Sequence, residues 1–193
     1  MSILISLKNI NLAFGQKVIF KDTEIAINKG DRIGIIGLNG HGKSTLLNIL
    51  LGKVNPDISK PAFIYDKSND PFKIFHIPQE LNIKDYKELT ISNYYLAFYP
   101  RLYAIHTELA KIESDMATSS DMDKLLSRQE KLFHEFEDLD GWNIENAYAN
   151  YLKGFDLLEI DRTVEFLSGG EQRKMALSIG LSSNAELLLW DEP

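Results

Sequence analysis

Cysteine is absent from the 193 residues, which excludes disulfides and thiolate-bound metal and is compatible with a reducing compartment. Any metal must be held by oxygen or imidazole. Long apolar runs are lacking too: stretches such as Leu187–Trp190 end after a handful of residues, far short of the roughly 20 that cross a bilayer. The N-terminus, MSILISLKN, has neither a basic start nor a long apolar stretch leading to a small-residue cleavage site. No export signal is read there, and a cytoplasmic location is expected. Basic residues are in deficit, 21 Lys and Arg against 28 Asp and Glu, giving a net charge of −7. That balance argues against broad attraction to nucleic acid or anionic lipid, while leaving room for a local basic patch. What remains, 44% apolar and 25% charged residues, is the composition of one globular domain with an embellishment.

The order of elements is legible from the pattern. Leu4 to Asn28 reads as antiparallel strands around a turn at Phe14-Gly15-Gln16-Lys17, and Lys29-Gly30-Asp31 makes the next turn. Arg32 to Ile36 is apolar and β-branched, as expected of a strand buried on both faces. It leads into a glycine loop, after which Leu46, Leu47, Leu50 and Leu51 lie at helical spacing with Gly52 placed to cap the helix. Residues 53–73 carry Pro56, Pro61 and Pro71 and read as loops around a short strand at Ala62 to Tyr65; Lys73 to Ile77 is a further strand. From near Thr90 the chain turns helical. Leu102, Ile105, Leu109, Ile112 and Met116 form a heptad seam, which Met122, Leu125, Leu132, Phe136 and Leu139 continue after a break at Thr118-Ser119-Ser120. Two helices joined by a short turn would bury these seams in an antiparallel hairpin, each arm reaching roughly 25 Å. Ile144 to Lys153 reads as a helix stopped by Gly154, Ser168 to about Leu181 as another, and Leu187 to Trp190 as a last strand.

Gly37-Leu-Asn39-Gly40-His41-Gly42-Lys43-Ser44 fits the pattern G-x-x-x-x-G-K-[ST]. The glycines let successive N–H groups turn inward around phosphates, the helix N-terminus adds partial positive charge, Lys43 reaches the terminal phosphates, and Ser44 ligates magnesium. With Thr45 and the loop amides this is a cradle for Mg2+-bound nucleotide. His41 occupies a variable position and faces solvent. Leu187-Leu-Leu-Trp190-Asp191-Glu192 is a Walker B pattern, an apolar strand that delivers two carboxylates at its end. Asp191 would orient the magnesium through its water shell; Glu192 would polarise the attacking water or accept its proton. Ser168-Gly169-Gly170-Glu171 has the S-x-x-E spacing of a capping box, so a helix should begin there with a second anion-binding terminus.

Leu167-Ser168-Gly169-Gly170-Glu171-Gln172 resembles the signature motif of ABC-type ATPases, and the resemblance covers nearly the whole chain. Gln79, in IPQE, is similar to the Q-loop glutamine that contacts magnesium or water, and Phe14, 23 residues before Gly37, stands where the family's adenine-stacking aromatic does. The resemblance implies an α/β P-loop fold with a mostly parallel core sheet, an N-terminal antiparallel part and a helical subdomain. It implies Mg-ATP as ligand, with Lys43, Gln79 and Glu192 catalytic and Ser44, Gln79 and Asp191 near the metal. It also implies head-to-tail pairing with a second nucleotide-binding domain, so that Ser168, Gly169 and Gly170 serve the ATP held on the partner. The family's switch histidine is expected after the Walker B strand, yet His41, His76, His106 and His134 all precede Glu192, and the D-loop would follow Pro193. The 193 residues are therefore read as one ABC-type domain, incomplete at its C-terminus and a poor ATPase alone, with an arm-like insertion at 90–140 and a signature-helix region at 141–182.

Within the superfamily, KGDRIGIIGLNGHGKSTLL, IPQE, the hairpin between Gln79 and Ser168, and Asp140-Gly141-Trp142 leading to LKGFDL are similar to the first ATPase domain of the ABC-F branch. That branch implies a cytosolic protein that hydrolyses ATP to drive a conformational switch and acts on the ribosome or translation. The charge of the arm opposes an RNA-facing role, since Arg101 to Leu139 holds five basic and nine acidic residues. A transporter's ATP-binding subunit docked on transmembrane partners is the alternative, usually with a more compact helical subdomain. A chromosome-associated relative would need a far longer coiled coil.

Overall fold

The computed structural model describes residues 3–56, 74–117 and 121–191. The chain divides into two compact units, one formed by residues 1–79 and 185–193 and the other by residues 80–184.

In the first unit, β1 (Ile3–Phe14) and β2 (Lys17–Asn28) pair antiparallel, with Ile5 opposite Ile27, Leu7 opposite Ile25 and Phe14 opposite Lys17. Alternation and a register shift between Leu7 and Ile10, where Asn9 takes φ 56°, aim Ile5, Leu7, Ile10, Leu12 and Ile27 into a core that they share with Leu47, Ile49 and Leu50 of α1 (Lys43–Leu50). α1 ends as its sequence foretells. Gly52, at φ 69°, donates to the Ile49 carbonyl, and Lys53 donates to that of Asn48, which closes the last turn on a left-handed residue. The turn after β2 is held by Asp31, whose carboxylate accepts the Asn28 N–H at 2.8 Å. β3 (Ile74–Ile77) and β4 (Leu187–Trp190) pair in parallel, Ile74 with Leu187 through Ile77 with Trp190. The strand expected at Ala62 to Tyr65 lies outside the described residues.

The strand expected at Arg32 to Ile36 is not formed. The segment is irregular and open to solvent, with Ile33 54% and Ile36 98% exposed. A cavity of about 350 Å3 lined by Ile25, Ile27, Ile33 to Ile36 and Leu187 to Asp191 lies between this segment and β4. The side chains have the β-branched character of a buried strand, but across that gap no backbone ladder can close. Propensity without a neighbour to pair with leaves an irregular, unpaired run.

The second unit is helical. A 3-10 helix at Ile91–Phe98 precedes α2 (Pro100–Met116), and the break between them has a local cause. Pro100 disfavours helical backbone at the residue before it, so Tyr99 leaves the helical region at φ −127° and ψ 80°, while Pro100 itself takes the first helical position, where no N–H is needed. α3 (Met122–Asp138) runs back along α2 as the hairpin foreseen from the heptads, each helix having 17 residues. Leu102, Ile105, Ile112, Leu132 and Phe136 are buried in the seam, whereas Met122 and Leu139 are both 41% exposed. Arg101 bonds Glu135 and Arg128 bonds Glu108, each through two nitrogens, across the pair. At the corner into α4 (Gly141–Gly154), Asp140 adopts φ 60°, and a side chain on Gly141 would strike the Phe136 ring at 2.5 Å. That close approach explains Gly141 and lets Trp142 sit against Phe136 with ring centres 4.7 Å apart. α4 ends at Gly154, where the sequence places its stop, and Asp156 at φ 55° makes the left-handed turn two residues later. α5 (Gly169–Ser182) packs on α4, and Tyr94, Tyr95 and Tyr148 are buried between the helices. No helix among the described residues is long and apolar enough to cross a membrane.

Candidate nucleotide site

The glycine loop sits at the start of α1 in the first unit. Gly42 is the N-cap, at φ 91°, and a Cβ there would lie 2.6 Å from Ile19 Cγ2 and 3.1 Å from Phe20 Cζ. Backbone angle and crowding both exclude a side chain. Gly40 is also left-handed, at φ 78°, whereas Gly37 has open space around it. Lys43 projects back over the loop, its Nζ donating to the Gly37 carbonyl at 3.0 Å and, more weakly, to Leu38 O and Asn39 Oδ1 at 3.4 Å each. The ammonium thus occupies the mouth of the loop on the loop's own acceptors, which an arriving phosphate would replace. Thr45 is half-buried in the first turn of α1.

Ser44 and Asp191, 147 residues apart, meet: Ser44 Oγ donates to Asp191 Oδ1 at 3.2 Å. The parallel ladder brings this about, because β4 delivers Asp191 to the same strand end at which β3 releases Pro78 and Gln79, and the Asp191 N–H donates to the Ile77 carbonyl at 3.2 Å. A hydroxyl and a carboxylate beside a phosphate loop are a donor set that suits magnesium, which takes few protein oxygens and completes its shell with water and phosphate. Among the described residues no group of three or more His, Asp and Glu side chains converges as a metal cage. Glu192 lies outside the described residues. His76, on β3, has its pKa lowered by burial and by Lys53, an effect that Asp191 partly offsets.

Phe14 ends β1 with 55% of its surface exposed, so its ring is open to stack on a flat partner. Beside it stands Lys17, a residue that the sequence reading passed over as part of a turn; its Nζ donates to the Gly40 carbonyl at 3.0 Å and ties the hairpin tip to the phosphate loop. A cation three residues after the candidate stacking aromatic was the available signal. The signature residues belong to the second unit. Ser168 caps α5 by accepting the Glu171 N–H at 3.3 Å, and the Ser168 N–H donates to Glu171 Oε2 at 2.8 Å, so the capping box read from the spacing is realised. Ser168, Gly169 and Gly170 are exposed. Arg162 bonds the other carboxylate oxygen of Glu171, and the two groups together hold the Glu171 pKa at about 2.

A glycine loop closed over a lysine, with a serine joined to an acid at a parallel strand end, defines a P-loop nucleotide-binding domain of the α/β class. A family model described as ABC transporter matches residues 20–193, and the chain belongs to that family, as an ATP-binding ABC domain. It is 31% identical over 98% of its length to the tylosin resistance ATP-binding protein TlrC of Streptomyces fradiae, covering 34% of that protein. Against the energy-dependent translational throttle protein EttA of Haemophilus influenzae it is 31% identical, over 91% of this chain and 30% of that one. ABC transporter F family member 2 of Arabidopsis thaliana gives 29% identity over 98% of this chain and 28% of that one. The chain thus has ABC-F homologues along nearly all its length and spans about a third of the length of the curated relatives it matches. A solved nucleotide-free ATP-binding cassette from an ABC transporter shares the fold, with a TM-score of 0.59 and 24% identity over 99% of this chain and 69% of that one.

Proposed function

We propose that this chain is the ATP-binding domain of an ABC-F-type ATPase, which binds Mg-ATP and hydrolyses it when paired head to tail with a second such domain. The observation that carries the reading is the bond between Ser44 and Asp191 at the mouth of the glycine loop. Magnesium held there by Ser44 and Asp191 would supply positive charge that offsets the charge developing on the phosphates. The loop amides and Lys43 hold the phosphates, Ser44 and Asp191 orient the metal's oxygens, and Gln79 supplies a contact to metal or water from the neighbouring strand end. Phe14 stacks on adenine. Glu192 polarises the attacking water, and Ser168, Gly169 and Gly170 close over the nucleotide of the partner domain. The 193 residues alone are a weak ATPase, because each site needs a signature supplied in trans.

Work on the ribosome or translation, in the cytoplasm, is supported by the name of the EttA relative and by the α2–α3 hairpin in the place of an ABC-F arm. The acidic arm weighs against direct contact with ribosomal RNA. Docking on transmembrane transporter subunits is the competing role. Calorimetry with Mg-ATP tests the site: Lys43→Ala should lose most of the affinity, and equal affinity in the two proteins would refute the assignment. Glu192→Gln in the full natural chain should trap a closed, ATP-bound form. Sedimentation of that trapped form with ribosomes would support the translational role; its recovery with membranes instead would select the transporter role.

A further inference from the structure

Three residues into α5, Glu171 places a full negative charge in the turn that the functional reading assigns to a phosphate. Each of its oxygens is committed: Oε2 accepts from the Ser168 N–H at 2.8 Å and from the Ser168 hydroxyl at 2.7 Å, and Oε1 accepts from Arg162 Nη2. Arg162 is itself fixed by its backbone. Its carbonyl accepts the Ile91 N–H at 2.9 Å, its N–H donates to the Glu159 carbonyl at 3.3 Å, and the next residue, Thr163, bridges to Thr90. Its guanidinium, 34% exposed, also lies 3.7 Å from Glu159. A carboxylate at a helix N-terminus favours the helix dipole but repels an arriving polyanion. The Glu171 pKa of about 2 means that no proton removes this charge near neutral pH, so only a cation can balance it.

We propose that Arg162 is a positioning residue for the signature: by pairing with Glu171 it fixes the Ser168 cap and cancels the local charge, so that Ser168, Gly169 and Gly170 can receive the terminal phosphate of a nucleotide held by a partner domain. It acts through Glu171 and does not touch the nucleotide. The inference rests on the reading of the signature as a site that works in trans.

The test compares wild type, Arg162→Met, Arg162→Lys, Glu171→Gln and the double variant Arg162→Met/Glu171→Gln in the full natural chain with its pairing domain. It measures Mg-ATP affinity by calorimetry, and kcat and KM for ATP hydrolysis. Arg162→Met should lower kcat about tenfold while leaving ATP affinity within about twofold, since the P-loop belongs to another unit, and added salt should recover part of the loss by screening the exposed carboxylate. Glu171→Gln keeps an oxygen for the cap and removes the charge, so the double variant should return to within about threefold of wild type, and Arg162→Lys should retain most activity. An Arg162→Met protein equal to wild type would overturn the proposal. So would a double variant or an Arg162→Lys protein as impaired as Arg162→Met, because a purely structural role predicts that failure. If Arg162→Met does not fold, the double and lysine variants decide the matter alone. A wild-type protein that binds Mg-ATP but neither pairs nor hydrolyses would remove the in-trans reading and this inference with it.

Discussion

At the scale of single residues, three side-chain positions carry consequences that can be measured. Gly42 combines a left-handed backbone with contacts that leave no room for a Cβ, so Gly42→Ala must push Ile19 and Phe20 aside. We expect a loss of about 1–3 kcal/mol in denaturant unfolding, with Mg-ATP affinity falling in step. Tyr148 is buried and its hydroxyl donates to the Ile91 carbonyl at 2.8 Å. Tyr148→Phe leaves that carbonyl without this partner, and a destabilisation of about 1–3 kcal/mol is expected in the same measurement. Glu171 sets a pH dependence. Its pKa falls on folding from an ordinary 4.5 to about 2, because the Ser168 hydroxyl, the Ser168 N–H and Arg162 all favour the carboxylate. The folded state therefore binds fewer protons than the unfolded one between those values, and the stabilisation is fully present above about 4.5 and is lost as the pH falls toward 2. Melting temperatures recorded from pH 5 to 2.5 should decline less steeply in Glu171→Gln than in wild type; parallel slopes would contradict the assigned pairing.

At the scale of elements, burial along α3 is uneven. Leu132 and Phe136 are buried near the base, where α4 packs against α3, while Leu125 is half-buried and Met122 exposed toward the tip. Among the described residues, α2 and α3 pack on each other toward that end. Leu132→Ala should cost about 2–5 kcal/mol of global stability, and Leu125→Ala should cost less and act locally, seen as faster amide exchange confined to the tip. Equal effects would mean that the seam is uniform. The same elements mark how far sequence alone reaches. The heptads of α2 and α3, the Ser168 box and Gly52 were readable because each rests on neighbours within a few positions. Arg32 to Ile36 was misread because strand formation depends on a pairing partner that local pattern does not specify. The end of α4 at Gly154 was readable, but its left-handed turn falls on Asp156, because a glycine permits that conformation without requiring it. At the candidate site, Lys43, Ser44 and Asp191 stood out by motif, whereas Lys17 and Arg162 act through a carbonyl and a carboxylate far from them in pattern terms. No motif spacing announces such ties.

At the scale of the whole molecule, the fold is a P-loop domain of the ABC family whose described residues fall into two compact units, with the glycine loop in one and the signature in the other. A lone copy holds one loop and one signature but, under the pairing proposed above, cannot use them on the same nucleotide. Turnover by the 193 residues should rise with the square of protein concentration if copies pair, and should stay near background at dilute concentration. Linear dependence in an ATPase assay, with high activity at the lowest concentration, would indicate a complete site in one copy. The sequence contains two tryptophans, and the units take one each: Trp142 beside Phe136, and Trp190 at the end of β4 next to Asp191. The molecule therefore comes with two built-in fluorescent labels at separate addresses. With Trp142→Phe, ultraviolet emission follows events at the end of β4 beside Asp191. With Trp190→Phe, it follows only the base of the arm, so the two halves of any ATP-driven motion can be timed independently without attaching a dye.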